Sequence, residues 1–590
     1  MTIAKRIPLL ALILLLGAIL RFWNLDLKPL WMDEVITALF SLGRTYYDVP
    51  LEQALPLTVF EQVFTLNPET SCAQIALTVS TQSVHPPLFF CWMHQWMGWV
   101  NLLPISWVWK LRALPALFGI VAIVAIYQLN RIAFSHQAGL LGAVVMAISP
   151  FGVYLSQEAR HYTLPMLLVI LALSGLYQVL IDLHQRQFRP LIWLGWVAVN
   201  SLGFYVHYFF LLAFVGQVMM LLWLGRGKNT HLPYPPSLIP FPLFPLLAIA
   251  LVCLTYLPWL STLLSHISRP ETDWVKVHVP GVLAAIAPLL QIVSGWVLTG
   301  IAFPVEGQPV WIAAVNGLLM AVFSLWLVRR VFLGVRQLWQ HSEARLGIQL
   351  LLGFGFVVVL EFLAIAYILG KDFTQVPRYN FIYFPAVCAL VGAGLSQPLI
   401  QPLLGVNKNS RGSKTKKFLT WLSKTVTQCD RRTVFIVLLV GILSSVFVVS
   451  DQVFQKPYRP DQVARTLLVE PQEPLLVTTA YNDYQDVALG LSFALQLAKQ
   501  ERQQVAHSSE AHFAFIAQFS GYEGVWSRLL TLQHPLPFPL NLWVIGPGLK
   551  RIGYPQQLML GNQSSNPRQC NIVPDQYHRL GIPYQLYHCP

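Results

Sequence analysis

The sequence is poor in charge. Asp, Glu, Lys and Arg make up 11% of its 590 residues, against 55% apolar residues. Soluble domains carry about 25% charged residues, so a soluble globular chain is excluded. Seven cysteines are scattered without a CxxC motif. Cys570 and Cys589 are the only plausible disulfide pair, and they would join only in an oxidising compartment. Neither Walker A nor GxGxxG occurs in a strand–helix setting, so ATP-driven transport and dinucleotide chemistry have no support. No internal repeat of the kind that builds many carriers is visible.

What the chain has instead is a succession of long apolar runs, with a mean hydropathy of +0.55. Runs of about 20 apolar residues cross a bilayer, and the chain reads as an α-helical polytopic membrane protein. The first run starts at Pro8, after Lys5 and Arg6. The segment Arg21-Phe22-Trp23-Asn24 is a poor signal-peptide cleavage site, so the run reads as a retained span. The formal charge of +13 lies in short loops: Arg131, Arg186 and Arg189, Arg226 and Lys228, Arg329 and Arg330, and the stretch 408–432. Such loops face the cytoplasm, which disfavours nucleic acid as a partner. Taking 86–104 and 283–303 as helices lying in the outer interface puts every basic cluster inside. About eleven spans then remain: 7–23, 113–130, 138–154, 164–181, 190–205, 209–225, 239–262, 309–328, 346–369, 380–397 and 433–451. The N-terminus is inside. Outside are 24–111, 155–163, the region around 206–208, 263–308, 370–379 and the tail. Residues 1–452 form a transmembrane domain. Residues 453–590 read as a small extracytoplasmic α/β domain, with strand-like "LLVTTA" and "LWVIG" separated by a helical run.

Compact polar motifs recur in these outer loops. "LWMDEVIT" carries Asp33 and Glu34. "SVHPPLFF" carries His85. "SPFGVYLSQEARHYT" carries Glu158, Arg160, His161 and Tyr162, and "FTQVPRYNFIY" carries Arg378 and Tyr379. Each has a bland reading: acids favour the first turn of a helix, and arginines beside spans snorkel to headgroups. Together they put carboxylate, imidazole and guanidinium groups on one side of the membrane. That combination suits glycosyl transfer from a lipid phosphate. A glycosidase needs two carboxylates because its leaving group must be protonated. A sugar phosphate is already a good leaving group, so one carboxylate can activate the acceptor while arginine forks hold the departing phosphate.

"RFWNLDLKPLWMDEVITA", "HPPLFF", "LRALPALFGIVAIVAIY", "ISPFGVYLSQEARHYTLPMLL" and "PRYNFIYFPAVCAL" resemble, in that order, the bacterial GT-C superfamily glycosyltransferases. These are relatives of the protein O-mannosyltransferases and of the lipid A aminoarabinose transferase. The resemblance covers residues 7–450. It implies a GT-C bundle, a polyprenyl-phosphate-linked monosaccharide donor used on the outer face of a bacterial plasma membrane, and a lipid, glycan or protein acceptor. It implies Asp33 as base, with Glu34 positioning the acceptor or the local loop. His85, Glu158, Arg160, Tyr162, Arg378 and Tyr379 stand at donor-phosphate or substrate-binding positions, with Gln157 in the same segment. Some relatives bind a divalent metal, for which His85 and Glu158 are the candidates here, and others need none. The rival reading is a lipid-linked sugar carrier or flippase without chemistry.

Overall fold

The computed structural model describes residues 3–226, 243–269, 281–397, 414–468, 473–503, 511–532, 536–562 and 565–590. Two compact units emerge. The first comprises Met1–Leu25, Val84–Phe89 and Arg112–Phe454, and the second Asp26–Ser83, Phe90–Leu111 and Gln455–Pro590.

The first unit is helical. Among the described residues six helices are long and apolar enough to cross a membrane: Trp107–Ala133, Thr163–Gln185, Phe244–Ile267, Val310–Trp339, Ser342–Ile368 and Arg432–Val449. A seventh crossing is possible if the bent pair His136–Ile148 and Pro150–Ser156 is one span. Five shorter apolar helices accompany them: Pro8–Phe22, Pro190–Phe204, Phe210–Leu224, Ala285–Gly300 and Phe384–Leu395. This is a multi-pass membrane protein. Of the basic stretch 408–432, residues 408–413 lie outside the described residues, and the rest opens the helix Lys414–Val449.

The bent pair departs from the sequence reading, which made 138–154 a single run. Proline has no N–H and forces the preceding residue out of the helical region. Ser149 is accordingly extended (φ −62°, ψ 122°), and the chain turns by 60° between the two helices. A turn inside apolar surroundings orphans carbonyls, each costly if left unpaired. All three are met. Arg21 donates to Met146 O at 2.9 Å and to Ala147 O at 3.0 Å, and Ser445 Oγ donates to Ile148 O at 2.9 Å. Ser149 Oγ caps the second helix at Gly152 N. Arg21 is fully buried, and its charge is spread over backbone dipoles, with Gly17 O as a third acceptor at 3.1 Å.

The second unit is α/β. Among the described residues its strands are β1 (Leu55–Pro56), β2 (Leu475–Tyr481), β3 (His512–Ala517), β4 (Leu540–Ile545), β5 (Gln557–Asn562), β6 (Ser565–Leu580) and β7 (Ile582–Cys589). They form one sheet in the order β1-β3-β2-β4-β7-β6-β5. The centre, β3-β2-β4, is parallel, and β2, β3 and β4 are buried along their whole length. This matches a near-continuous apolar run covered on both faces. The helix Tyr484–Gln503 connects β2 to β3.

Of the outer loop 24–111 expected to accompany the spans, residues 26–83 and 90–111 belong to this unit, while 84–89 stay with the helical one. β1 pairs antiparallel with β3, Leu55 opposite Phe513. Ser492 Oγ donates to Leu30 O at 2.5 Å, and Tyr46 stacks on Tyr484 with ring centroids 4.4 Å apart. The physical reason is burial: Val35, Ala38, Leu39 and Phe60 are apolar, and in this packing none is more than 1% exposed. The cysteines correct the sequence reading in the same way. Besides the expected Cys570–Cys589 bond there is a second disulfide, Cys72–Cys91, which ties the helix Cys72–Gln82 to the helix Leu88–Val100.

Replacing Arg21 by Leu leaves two buried carbonyls unpaired, at about 1–3 kcal/mol each. Thermal melts in detergent should therefore show Arg21→Leu several degrees below wild type and below Ser445→Ala, which loses one such bond. Equal melting of all three proteins would refute the capping role.

Candidate functional site

The 60° turn delivers residues 157–162 as a short buried loop between Pro150–Ser156 and Thr163–Gln185. Gln157 anchors its start, donating from Nε2 to Trp23 O at 2.8 Å. Glu158 follows, 4% exposed and hydrogen-bonded to the Tyr154 side chain. Arg160 is 2% exposed, and its Nη2 donates to His85 Nε2 at 3.2 Å. Accepting that bond requires an imidazole with Nε2 unprotonated. Tyr162 Oη accepts from Arg378 Nε at 3.0 Å. The Arg160 guanidinium lies 5.7 Å from the Tyr162 ring centroid, and that of Arg378 lies 5.7 Å from the Tyr379 ring. The structure thus brings His85, Arg160, Tyr162, Arg378 and Tyr379 into one cluster, with Glu158 joined through Tyr154.

Two histidines complete the cluster: His161, which the sequence reading noted without giving it a role, and His207, which it did not single out. The His161 ring is tilted against two others, its centroid 5.1 Å from that of His85 and 4.6 Å from that of His207. Both of its ring nitrogens are buried, and neither has a hydrogen-bond partner among the described residues. His207 reaches the same place from the loop between Pro190–Phe204 and Phe210–Leu224, beside Phe381 at 5.0 Å. The available signal was the sequence "YVHYFF", a histidine between two apolar runs.

All three imidazoles sit in loops, and all three are held well below the usual histidine value. Burial is the main cause for each. Positive neighbours add to it: Arg160, His266 and Arg378 at His85; His207, Arg160, His85 and Arg378 at His161; His85 and Arg160 at His207. The cluster therefore presents two permanent cations and three neutral imidazoles, walled by aromatic rings. Among the described residues no three His, Cys, Asp or Glu side chains are grouped to hold a metal ion. Of the two metal candidates, His85 already has its Nε2 beside Arg160, which an incoming divalent cation would have to displace.

A cavity of about 900 Å³ lies in the same unit, among the helices Val282–Gly300, Val310–Trp339, Ser342–Ile368, Phe384–Leu395 and Lys414–Val449. Trp296, Leu325, Phe332, Leu352 and Phe356 line it. Tyr383 and Arg336 also line it. The first of these is one residue from Ile382, the last residue of the short helix Pro377–Ile382 that carries Arg378 and Tyr379.

Asp33 and Glu34 belong to the second unit and differ in setting. Glu34 is 1% exposed and turns back toward Trp31 N, 3.5 Å from its Oε2, at the start of the helix Met32–Ser41. This is the geometry of a helix-start carboxylate. Asp33 is half-buried in the same first turn. Its electrostatic neighbours include Tyr458.

The neutral histidines set a pH dependence. An unfolded imidazole takes up a proton near pH 6.5, whereas the folded ones do not, so stability falls as the pH drops below about 6.5. The melting temperature should be lower at pH 5.5 than at pH 7.5, and His161→Phe should narrow the gap. A gap of the same size in the variant would show that His161 does not carry the effect.

Residues 85–260 match the model of the dolichyl-phosphate-mannose-protein mannosyltransferase family. No curated protein sequence matches the chain. Among solved structures, ArnT from Cupriavidus metallidurans in the apo state is 11% identical, with a TM-score of 0.46, covering 98% of this chain and 97% of that one. The same protein bound to undecaprenyl phosphate is 11% identical, TM-score 0.45, with 99% and 98% covered. The archaeal oligosaccharyltransferase AglB from Archaeoglobus fulgidus, in complex with an inhibitory peptide and a dolichol-phosphate, is 12% identical, TM-score 0.43, covering 83% of this chain and 64% of that one. The family match spans "HPPLFF", "LRALPALFGIVAIVAIY" and the Gln157–Tyr162 loop, so over residues 85–260 this membrane protein is similar to the mannosyltransferase branch of the GT-C glycosyltransferases.

Proposed function

We propose that the chain is a glycosyltransferase moving a monosaccharide from a polyprenyl-phosphate-linked donor to an acceptor hydroxyl on the extracytoplasmic face of a bacterial plasma membrane. The observation that carries this reading is the pair of a buried Arg160 and a half-buried Arg378, each placed by a hydrogen bond to a neighbouring side chain. Arginine forks match phosphate oxygens in two-point fashion, and two such forks with neutral histidines suit an anion rather than a cation. The orphaned His161 nitrogens add donor or acceptor capacity for the sugar phosphate. The apolar cavity suits part of an isoprenoid chain.

In this mechanism Asp33 takes the proton of the acceptor hydroxyl. The freed oxygen pair forms the bond to the anomeric carbon, and the bond from that carbon to the phosphate oxygen breaks. The electron pair leaves on the phosphate, where Arg160 and Arg378 offset the growing charge. Tyr162 and Tyr379 orient the two guanidinium groups. No step requires a metal.

The bundle is read as eleven spans: the seven of spanning length and composition, with the bent pair as one, plus Pro8–Phe22, Pro190–Phe204, Phe210–Leu224 and Phe384–Leu395. Its N-terminus is cytoplasmic. Two disulfides in the second unit support an extracytoplasmic location for it, because disulfides persist in oxidising compartments. The carrier reading has one observation in its favour. Glu361 lies within the helix Ser342–Ile368, and neither of its buried carboxylate oxygens has a hydrogen-bond partner among the described residues; intramembrane acids commonly mark transport paths.

Purified protein in detergent, given a panel of polyprenyl-phosphate monosaccharides and a cell-envelope extract, should release free polyprenyl phosphate from one of them. Asp33→Asn should lower that release by about 10²-fold or more while leaving donor binding intact. Arg378→Met should weaken donor binding by about tenfold or more, the scale of a lost charged hydrogen bond. Donor binding without release, identical in wild type and Asp33→Asn, would favour the carrier. In that case Glu361→Gln should abolish donor movement across vesicles.

A further inference from the structure

The three histidines of the buried cluster differ in what holds them. His85 Nε2 accepts from Arg160 Nη2 at 3.2 Å, and His207 Nδ1 accepts from Phe209 N at 3.0 Å. A neutral imidazole has one bare nitrogen and one N–H. In both of these rings the bare nitrogen is already taken by a protein donor, and only an N–H remains to offer. His161 is different. It is fully buried, and neither ring nitrogen has a hydrogen-bond partner among the described residues. Other rings enclose it: the centroids of Tyr162 and His207 lie 4.6 Å away, that of His85 5.1 Å and that of Phe89 5.8 Å. Leaving a bare nitrogen unmet in such surroundings is costly, and buried polar groups are paired as a rule, so an exception calls for an explanation. Of the three imidazoles, His161 alone keeps an acceptor nitrogen without a partner among the described residues.

What lies beside His161 narrows its partner. Tyr162, against one side of the ring, accepts from Arg378 Nε at 3.0 Å, and His85, against another, accepts from Arg160. His161 thus sits between the side chains proposed to hold the donor phosphate. The cluster is most open at His85, Arg378 and Tyr379, which are half-buried, and contact with His161 needs a side-chain rotamer change of the kind common on binding. The donor has three parts. Its isoprenoid chain has no hydrogen-bonding groups, and its phosphodiester has acceptor oxygens only. Only the sugar, through its hydroxyls, can donate to a bare nitrogen, and the hydroxyl on C2 is the one next to the anomeric carbon and its phosphate. We propose that His161 is a specificity-determining residue that accepts a hydrogen bond from the C2 hydroxyl of the donor sugar, so that the substrate class is sugars with that hydroxyl free. The inference rests on the transferase reading, with the phosphate at Arg160 and Arg378. The bond fixes the rotation of the sugar about its phosphate link. It also discriminates, because a sugar without the hydroxyl leaves the buried nitrogen unmet.

The test uses matched polyprenyl-phosphate donors, one carrying a 2-hydroxy sugar and the other its 2-deoxy counterpart. Each is compared by kcat/KM for release of polyprenyl phosphate, with envelope extract as acceptor. The two sugars differ in intrinsic reactivity, but they do so equally for every variant, so a change in their ratio isolates the contact. His161→Phe should lower the ratio of 2-hydroxy to 2-deoxy turnover about tenfold or more, the effect of one hydrogen bond to a buried group. His161→Gln, which keeps both an acceptor and a donor, should recover part of it. A measurement on wild type alone covers the case in which the variants do not fold. There a donor with fluorine in place of the C2 hydroxyl, unable to donate, should bind about tenfold more weakly than the 2-hydroxy donor. An unchanged ratio in His161→Phe, or equal binding of the fluoro and hydroxy donors by wild type, would overturn the proposal and leave the transferase standing. Failure of wild type to release polyprenyl phosphate from any donor would instead remove the transferase reading, and the proposal with it.

Discussion

The helical unit depends on how one break in a span is made tolerable. Pro150 ends the hydrogen-bond ladder after Ile148, and without compensation three carbonyls would face an apolar medium. A single arginine from the first helix serves two of them, and a serine from the last helix serves the third. The turn so stabilised places Glu158, Arg160, His161 and Tyr162 in a buried loop rather than in a continuing span. Gly119 shows how closely the elements are fitted around it: a Cβ there would come within 2.2 Å of Ser156 Oγ and 2.9 Å of Arg21 Nε. The guanidinium that looks like a misplaced charge in an apolar run is thus a backbone cap.

The cluster beyond the turn illustrates a choice of electrostatics. Five of its members are basic residue types, yet only the two arginines carry charge, because burial and mutual repulsion keep the imidazoles neutral. A site crowded with five cations would repel itself in the empty state. Two fixed cations among neutral donors and acceptors hold the empty site together and still favour an anion.

Much of this was legible in the sequence, in proportion to how local the cause was. Span positions follow from hydropathy, a property of consecutive residues, and the helices fall close to the apolar runs. The outer-loop motifs were visible because acids, histidines and arginines stand out beside apolar runs, and His85, Arg160, Tyr162, Arg378 and Tyr379 do come together. What was missed is non-local or depends on geometry. His207 adjoins His161 only through folding. Cys72 and Cys91 pair because two helices of the outer loop pack. The turn at Pro150 was signalled by Ser-Pro but lay inside an otherwise unbroken run. The attachment of residues 26–83 to the tail could not be read at all, since a two-residue strand such as Leu55-Pro56 has no periodicity to detect.

That attachment has a bearing on how the protein is made. Leu55 finds its strand partner in Phe513, so the first outer loop leaves the ribosome long before the sheet it completes exists. At translation rates of about 5–20 residues per second, roughly 20–90 s pass before β3 is synthesised. Through that interval Phe60, whose ring packs on Phe513 and Phe515, lacks these partners. Completion of the fold is thereby tied to the last hundred residues of the chain. Until β3 is made, the strand Leu55–Pro56 has nothing to pair with, so this edge of the sheet closes only late in synthesis.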